Sequence, residues 1–239
     1  MTTGVERLSV LDVMPIAAGS TARQAIANTV DLAQLADRLG FTRYWLAEHH
    51  NAAGMASSSP ELMIAHLADH TSTIRVGSGG VMLPNHSALR VAEQFRVLET
   101  LHPGRIDLGI GRAPGTDRET ARVLRRSADI DGPDTFPEQL GELLAFLGDG
   151  FGPGHPLHHV RAIPTDVEMV PMWLLSSSGY SAQAAGQLGL GFAWAHHINP
   201  AGAAAAIAAY REAFVPGPGF PDPSPIMAIS VVCAPTDAA

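Results

Sequence analysis

The sequence has few of the features that mark a secreted, membrane-bound or nucleic-acid-binding protein. It holds one cysteine, Cys233, among 239 residues, which argues against an internal disulfide or a cysteine-rich metal site and favours a reducing compartment. It has no apolar run of about 18 residues that would cross a membrane, and its N-terminus lacks a signal-peptide pattern. The formal net charge of −8 argues against nucleic acid or an anionic membrane as a partner. We therefore expect a cytoplasmic protein.

What the sequence does contain is an alternation of short apolar runs with helical segments. With 46% hydrophobic and 16% charged residues, it is typical of one domain, residues 1–239, that can bury a large core. The first helix has a capping-box spacing at Thr21 and Gln24. The alternation predicts parallel strands joined by right-handed crossovers. The seven runs that favour strands are 8–14, 43–48, 74–83, 105–112, 172–176, 192–196 and 226–234.

Two architectures fit this alternation, a (β/α)8 TIM barrel and an open doubly wound sheet. The G-x-G-x-x-G fingerprint of dinucleotide-binding sheets is missing after the first strand, where "DVMPIAAGS" holds a single glycine. We therefore favour an α/β fold of the TIM-barrel class, with a long insertion at 113–170 between strands four and five. Only seven strands are visible, so we expect the barrel to end after the seventh strand, with its C-terminal part missing.

Polar and small residues fall where several predicted strands end. Catalytic groups of a barrel lie at these ends, so the pattern predicts one pocket at the rim. Each residue also has a structural interpretation: Glu48 could pair with an arginine of the barrel, and Arg112 with Asp107 or an acidic loop residue. The rim residues are Glu48, His49, His50, Gly79, Gly80, Asn85, His86, Gly111, Arg112, Ser176, Ser177, Ser178, Gly179, Tyr180, His196 and His197.

The segment "SSSGYS" at 176–181 is the most informative part of this rim. Small residues between a strand and a helix expose backbone N–H groups at the positive end of the helix dipole, an arrangement that binds phosphate. The serine hydroxyls could add hydrogen bonds, and an arginine could add a charge-assisted pair. In an acidic protein, this pattern indicates a local site for an anionic cofactor. Helix capping alone is the alternative, for which one serine would suffice.

The histidines also invite a metal-site hypothesis, which the sequence does not favour. A metal-dependent barrel hydrolase would place a His-x-His pair at the end of strand one, and "DVMPI" contains none. His66 and His70 stand four apart on a predicted helix, a spacing that does not by itself specify a metal site. We expect a surface or packing role for this pair, and we predict no metal site.

Three stretches make the sequence similar to the bacterial luciferase-like family of flavin-dependent oxidoreductases. They are "YWLAEHHN" at 44–51, "IRVGSGGVMLPNHSALRVAEQFRVLETLHPGRIDLGIGRAPGTD" at 74–117, and "WLLSSSGYSAQAAGQLGLGFAWAHH" at 173–197. The resemblance extends over nearly the whole chain from Leu8. It implies a (β/α)8 barrel with a long insertion, and reduced flavin mononucleotide (FMN) or, in some branches, a deazaflavin at the rim. Gly111 stands where the light-emitting enzymes have a reactive cysteine, which argues against light emission.

The resemblance also implies roles for individual residues. His49 would stand beside the isoalloxazine ring as the catalytic residue. Gly79 and Gly80 would let the backbone pass close to the ring, because a side chain there would collide with it. The remaining cofactor-binding residues would be Glu48, near the ring, and the phosphate contacts Arg112, Ser176, Ser177, Ser178, Gly179 and Tyr180.

The activity that the resemblance implies is that of a monooxygenase. Such an enzyme uses reduced FMN and O2 to oxygenate a small organic substrate. The insertion would form a lid over that substrate. NAD(P)H or a partner flavin reductase would supply the electrons, and a homodimer is expected. Three alternatives remain open: a truncated barrel that binds flavin without turnover, a deazaflavin-dependent hydride-transfer enzyme, and the metal-dependent hydrolase.

Overall fold

The computed structural model describes residues 7–125, 134–217, 219–232 and 236. The chain divides into two compact units, Met1–Met172 and Trp173–Ala239. Cys233 and the end of the predicted seventh strand, 233–234, lie outside the described residues. None of the helices within the described ranges has the length and apolar character needed to pass through a bilayer.

The first unit is built on a parallel sheet. Its strands follow the order β1-β2-β3-β5, and the short β4 also pairs with β5 in parallel. One row of partners runs from Val10 through Tyr44 and Val76 to Ile106, so the strands share a common register. The strands are β1 (Ser9–Asp12), β2 (Arg43–Leu46), β3 (Arg75–Ser78), β4 (Val81–Met82) and β5 (Ile106–Gly111).

Helices follow these strands, and their ends carry the expected local signals. The hydroxyl of Thr21 accepts a hydrogen bond from the Gln24 backbone N–H at 3.2 Å, which confirms the predicted cap. Pro60 is the first residue of α2, and Gly40 takes a φ of 74° just after α1. The helices are α1 (Ala22–Arg38), α2 (Pro60–His70), a 3-10 turn (Leu83–Asn85), α3 (Ala88–Leu101), α4 (Arg118–Arg125) and α5 (Phe136–Leu147).

Buried charges tie the strands and helices of this unit together. The Asp107 carboxylate, fully buried in β5, accepts hydrogen bonds from Arg43, Trp45 and Arg75. Arg96 of α3 is 7% exposed and donates to backbone carbonyls at the end of α5 and in the segment after it. Each buried charge therefore has the partners that a low-dielectric interior requires.

The second unit repeats the same alternation. Its strands β6 (Met172–Ser176), β7 (Gly191–Ala195) and β8 (Pro225–Ala228) pair in parallel, and α6 (Tyr180–Gln187) and α7 (Ala203–Ala213) connect them. The Tyr210 hydroxyl of α7 donates to the Leu190 carbonyl at 2.8 Å and fastens the helix beside β7. A Cβ on Gly191 would lie 2.2 Å from the Trp173 ring, so only glycine fits at the start of β7.

The structure confirms the predicted β/α alternation and corrects two of its details. The predicted strand at 74–83 is divided into β3 and β4, with Gly79 and Gly80 between them. The structure also has two helices, α4 and α5, within the predicted insertion. The other strands are two to five residues shorter than predicted, or match in length.

Candidate functional site

A buried carboxylate organises the carboxyl ends of β2 and β4. Glu48 is 1% exposed, and its Oε1 lies 2.7 Å from Nε2 of His50 and 2.9 Å from Nε2 of His86. Its Oε2 accepts the Met82 backbone N–H at 2.9 Å. Since Met82 ends β4 and His86 follows the 3-10 turn, one side chain fastens the end of β2 to the segment after β4.

The charges in this cluster compensate one another. Burial raises the pKa of Glu48, but the hydrogen bonds from His86, His50 and Met82 outweigh burial and lower it overall. Burial lowers the pKa of His86, but its hydrogen bond to Glu48 and the carboxylate charge outweigh burial and raise it above the ordinary range. The lowered pKa of Glu48 and the raised pKa of His86 both favour the charged forms, so they favour an ion pair between the two side chains.

His49 lies between Glu48 and His50 in the sequence but does not join their hydrogen bonds. Its Nδ1 is buried and has no hydrogen-bond partner within the described part of the chain. Burial lowers the pKa of His49, the Glu48 charge opposes this, and the His50 charge adds to it. The result is a pKa below the ordinary value, so the imidazole is neutral at neutral pH and can exchange hydrogen bonds with a ligand.

The backbone around His49 is held by neighbouring segments. The His49 N–H donates to the Ser57 carbonyl at 2.9 Å, and the His50 N–H donates to the Gly115 carbonyl at 3.1 Å. Asn51 has a φ of 53°, and its amide donates to the Asp117 carboxylate at 2.9 Å. The loop is therefore positioned both by 52–57 and by the start of the insertion.

Gly79 and Gly80 lie beside this loop, and packing within the protein already limits the space for a side chain at both positions. A Cβ on Gly80 would lie 2.7 Å from the Gly109 carbonyl oxygen, and one on Gly79 would lie 2.6 Å from a methyl group of Leu11. Gly80 is therefore required by its packing against a backbone atom of β5, whereas the Leu11 methyl group near Gly79 is the end of a flexible side chain that can shift. Their predicted place beneath a flavin ring is an additional role that this packing neither needs nor opposes.

Arg112 directly follows β5 and is half-exposed. Its guanidinium lies 3.4 Å from the carboxylate of Asp134, which is also exposed. Of the two alternatives in the sequence, the acidic loop residue is thus the partner, because Asp107 is already occupied by Arg43 and Arg75. An exposed ion pair of this length contributes little to stability, and the predicted phosphate contact of Arg112 stays a prediction.

The serine turn of the second unit connects β6 to α6. The Ser176 hydroxyl accepts the Ser178 backbone N–H at 2.9 Å, and the Ser177 carbonyl accepts the amide of Asn199 at 3.0 Å. Gly179 is the N-cap residue of α6 and has no side chain to cap the first turn, and the Ala182 N–H donates to the Gly179 carbonyl at 3.2 Å. N–H groups at the start of a helix can bind an anion, and the phosphate role of this turn stays a prediction.

The other histidines have structural roles in the described residues. The Nδ1 of His197 lies 3.1 Å from the Ala228 carbonyl, and the Nδ1 of His70 lies 2.7 Å from the His66 carbonyl. Glu48, His50 and His86 are the one group of His, Cys, Asp and Glu, among residues that the structure describes, whose polar atoms all lie within 4.8 Å. Both imidazoles lie at hydrogen-bonding distance from a single oxygen, so we assign the group to hydrogen bonding.

Sequence reasoning overlooked several residues that shape the site. His86 was visible beyond the third strand, but its partnership with Glu48, 38 positions away, was not. Asp12 ends β1 and accepts from Tyr44 at 2.6 Å, Thr29 at 2.7 Å and the Met14 N–H at 2.7 Å. Asn199 joins the serine turn to α7. Asp12 could have been identified from the sequence, because it is a polar residue at the end of an apolar strand.

Parallel β/α units with polar side chains at the carboxyl ends of the strands define an enzyme domain of the (β/α)8 class. The chain belongs to the luciferase-like monooxygenase family, whose sequence model matches residues 7–239. It is 51% identical to the uncharacterized protein YvbT of Bacillus subtilis, over 96% of this chain and 67% of that protein. It is 49% identical to a luciferase-like monooxygenase of Escherichia coli K12, over 98% of this chain and 68% of the relative.

Solved structures agree with this membership. The crystal structure of apo-MsnO8 matches with a TM-score of 0.87 and 44% identity, over 97% of this chain and 68% of that one. The oxygenating constituent of a 3,6-diketocamphane monooxygenase from Pseudomonas putida, in complex with FMN, matches with a TM-score of 0.75 and 20% identity, over 97% of this chain and 69% of that one. The latter likeness is one of fold alone. Together these matches confirm the predicted family and fold class.

Proposed function

We propose that this chain is a flavin-dependent oxidoreductase that uses reduced FMN and O2 to oxygenate a small organic substrate. Membership in the luciferase-like monooxygenase family supports the oxidoreductase class. A relative that is 43% identical over 194 residues, the N-acetyl-S-alkylcysteine monooxygenase of Bacillus subtilis, supports oxygenation of a small molecule. The FMN in the diketocamphane enzyme supports the choice of cofactor.

The observation that carries the proposal is the unpaired Nδ1 of His49. A buried polar atom without a partner costs about 1–3 kcal/mol, so folded proteins retain one where function uses it. The three side chains closest in sequence that could have satisfied it, Glu48, His50 and Asn51, are all bonded elsewhere. A ligand with a hydrogen-bonding edge, such as a flavin or its substrate, would satisfy the atom.

The residues that would hold FMN are those that the sequence predicted. In the first unit, Gly79 and Gly80 would face the ring with their backbone, and Glu48 would act by holding the loop that carries His49. Arg112, which pairs with the exposed Asp134, would contribute positive charge toward the phosphate. In the second unit, Ser176, Ser177, Ser178, Gly179 and Tyr180 would offer hydroxyl and backbone N–H groups to phosphate oxygens at the start of α6.

When bound, reduced flavin would supply the electrons that activate O2. His49 would hold or move a proton at Nδ1, since its neutral ring can both accept a proton and return it. The insertion at 113–170 would exclude water from the substrate, because its first residues already bond to the His49 loop through Gly115 and Asp117. NAD(P)H or a flavin reductase as electron source, a homodimeric assembly and a cytoplasmic location remain predictions.

The proposal is tested by titrating the purified protein with oxidised FMN, riboflavin and a deazaflavin coenzyme, followed by flavin fluorescence and absorbance. FMN should bind at least about tenfold more tightly than riboflavin, since a tenfold ratio needs only about 1.4 kcal/mol from the phosphate contacts. Arg112→Ala should weaken FMN more than riboflavin, whereas Arg38→Ala, at an exposed position in the last turn of α1, should change neither.

Two outcomes would contradict the proposal. If the protein bound the deazaflavin but did not bind FMN, hydride transfer would be indicated instead. An F420-dependent secondary alcohol dehydrogenase shares the fold at 14% identity. FMN binding without consumption of O2 by the reduced complex would indicate a flavin-binding domain without turnover.

A further inference from the structure

We propose that Glu48, held by His50 and His86, is a positioning residue that keeps the neighbouring His49 ring unpaired and available to a ligand. The inference rests on the proposed function in one respect, that His49 faces the reacting molecules. It adds the reason why a histidine next to a buried carboxylate does not pair with it, and it assigns a function to His86.

The first step of the argument is the saturation of Glu48. Its Oε1 accepts two imidazoles at 2.7 and 2.9 Å, and its Oε2 accepts the Met82 N–H at 2.9 Å. A carboxylate buried to 1% exposure would otherwise draw the nearest available cation into an ion pair. Because His50 and His86 already meet this need, His49 is not recruited and its Nδ1 keeps no partner among the described residues.

The second step is the charge that His49 experiences. The groups that act on this cluster are Glu48 and His50 on the same loop, His86 after β4, Glu61 of α2, and, at the loop's far end, Asp117 with Asn51. Glu48 favours protonated His49 and His50 disfavours it. While His86 balances the carboxylate, burial prevails and the pKa of His49 stays low. Loss of His86 would leave the carboxylate undercompensated beside His49.

The third step separates hydrogen bonding from metal binding at the same three residues. A 2-His-1-carboxylate set can bind iron or zinc. Here, however, both nitrogens approach one oxygen at distances typical of N–H···O bonds, and the second oxygen is occupied by a backbone N–H. This arrangement places protons, rather than a cation, between the three side chains.

The test is the titration of individual histidines in the protein without flavin, followed by long-range ¹H–¹⁵N NMR, with His49 assigned by its loss in His49→Asn. In the unsubstituted chain, His49 should titrate below its ordinary value of 6.5. Glu48→Gln should lower the His49 pKa further, and His86→Leu should raise it, each by about half a unit or more. His66→Leu, at an exposed position on α2, is the matched control and should not move it.

The two opposite signs separate this role from a merely structural one. If Glu48 only held the loop in shape, both substitutions would loosen it and move the His49 pKa up toward 6.5, which would overturn the proposal. Should His86→Leu not fold, His86→Gln keeps a donor without the charge and should still raise the pKa. Stoichiometric binding of Zn²⁺ that is lost in Glu48→Gln would also overturn it. Because no flavin is present, a failure of FMN to bind leaves these outcomes unaffected.

Discussion

At the residue scale, the three consecutive polar side chains after β2 have different environments. Glu48 and His50, two positions apart, reach each other at 2.7 Å, and the residue between them does not take part. The pair in "EHH" therefore consists of one histidine that neutralises a buried charge and one that is left for a ligand.

Gly80 permits a residue-scale prediction about the break between β3 and β4. In Gly80→Ala, the new Cβ would lie 2.7 Å from the Gly109 carbonyl of β5, a backbone atom that cannot move aside cheaply. We expect a loss of about 3 kcal/mol in the free energy of unfolding, at the upper end of usual overpacking. Urea unfolding followed by circular dichroism measures this value.

Gly141→Ala is the matched control for Gly80→Ala. Gly141 is exposed within α5, and a Cβ there would meet no atom within 4 Å. Because alanine favours helix more than glycine does, this substitution should stabilise the protein by about 0.5–1 kcal/mol. An equal effect of the two substitutions would mean that the close approach of β4 to β5 does not constrain position 80.

At the element scale, the sequence predicted the order and type of most elements but not their contacts. Capping at Thr21 is a local signal, and it lies where it was expected. The close approach of Gly80 to the Gly109 carbonyl of β5 depends instead on the pairing of β4 with β5. Likewise, the partnership of Glu48 with His86 depends on β2 and the segment after β4 being adjacent. Spacing along one chain does not encode such distant contacts.

Arg96 supports a prediction about how α3 is fixed to the insertion. Its guanidinium donates to the carbonyls of Phe146 and Leu147 at the end of α5, and to those of Pro164 and Val167 beyond it. In Arg96→Met, these carbonyls would lose their donor in a buried setting, so the free energy of unfolding should fall by about 3 kcal/mol or more. Chemical denaturation of the variant tests this expectation.

Arg90→Met on the same helix provides the comparison for Arg96→Met. Arg90 is exposed, so its replacement should change stability by less than about 0.5 kcal/mol. If both variants lost the same stability, the effect would come from the removal of charge from α3 in general. The hydrogen bonds to α5 and to 164–167 would then contribute little.

At the scale of the whole molecule, the acidic composition and the buried carboxylates act together on stability. The chain has 23 acidic and 15 basic residues, so acid removes much of its negative charge. Several carboxylates are held ionised by hydrogen bonds: the pKa values of Glu48, Asp37 and Asp117 are all lowered. A group whose pKa is lower in the folded state stabilises that state above its unfolded pKa, and this contribution is lost as pH falls. The protein should therefore weaken in acid.

Asp37 allows this acid dependence to be attributed to one group. Burial raises its pKa, but hydrogen bonds from Ser72, Thr73 and Ile74 outweigh burial and lower it to about 2, against an ordinary value of 3.8. These bonds fasten the last turn of α1 to the chain that enters β3. The stabilisation is fully present above about pH 4 and is lost as pH falls toward about 2.

Asp37→Asn should therefore be less stable than the unsubstituted chain at pH 6, and the difference should shrink steadily between about pH 4 and pH 2. Urea unfolding at a series of pH values measures that difference directly. Asp31→Asn, at an exposed position on the same helix, has the same change of charge without the bonds to 72–74, and its difference should stay near zero throughout. A difference for Asp37→Asn that does not change with pH would show that the amide replaces the carboxylate as an acceptor, and that the charge of Asp37 contributes nothing.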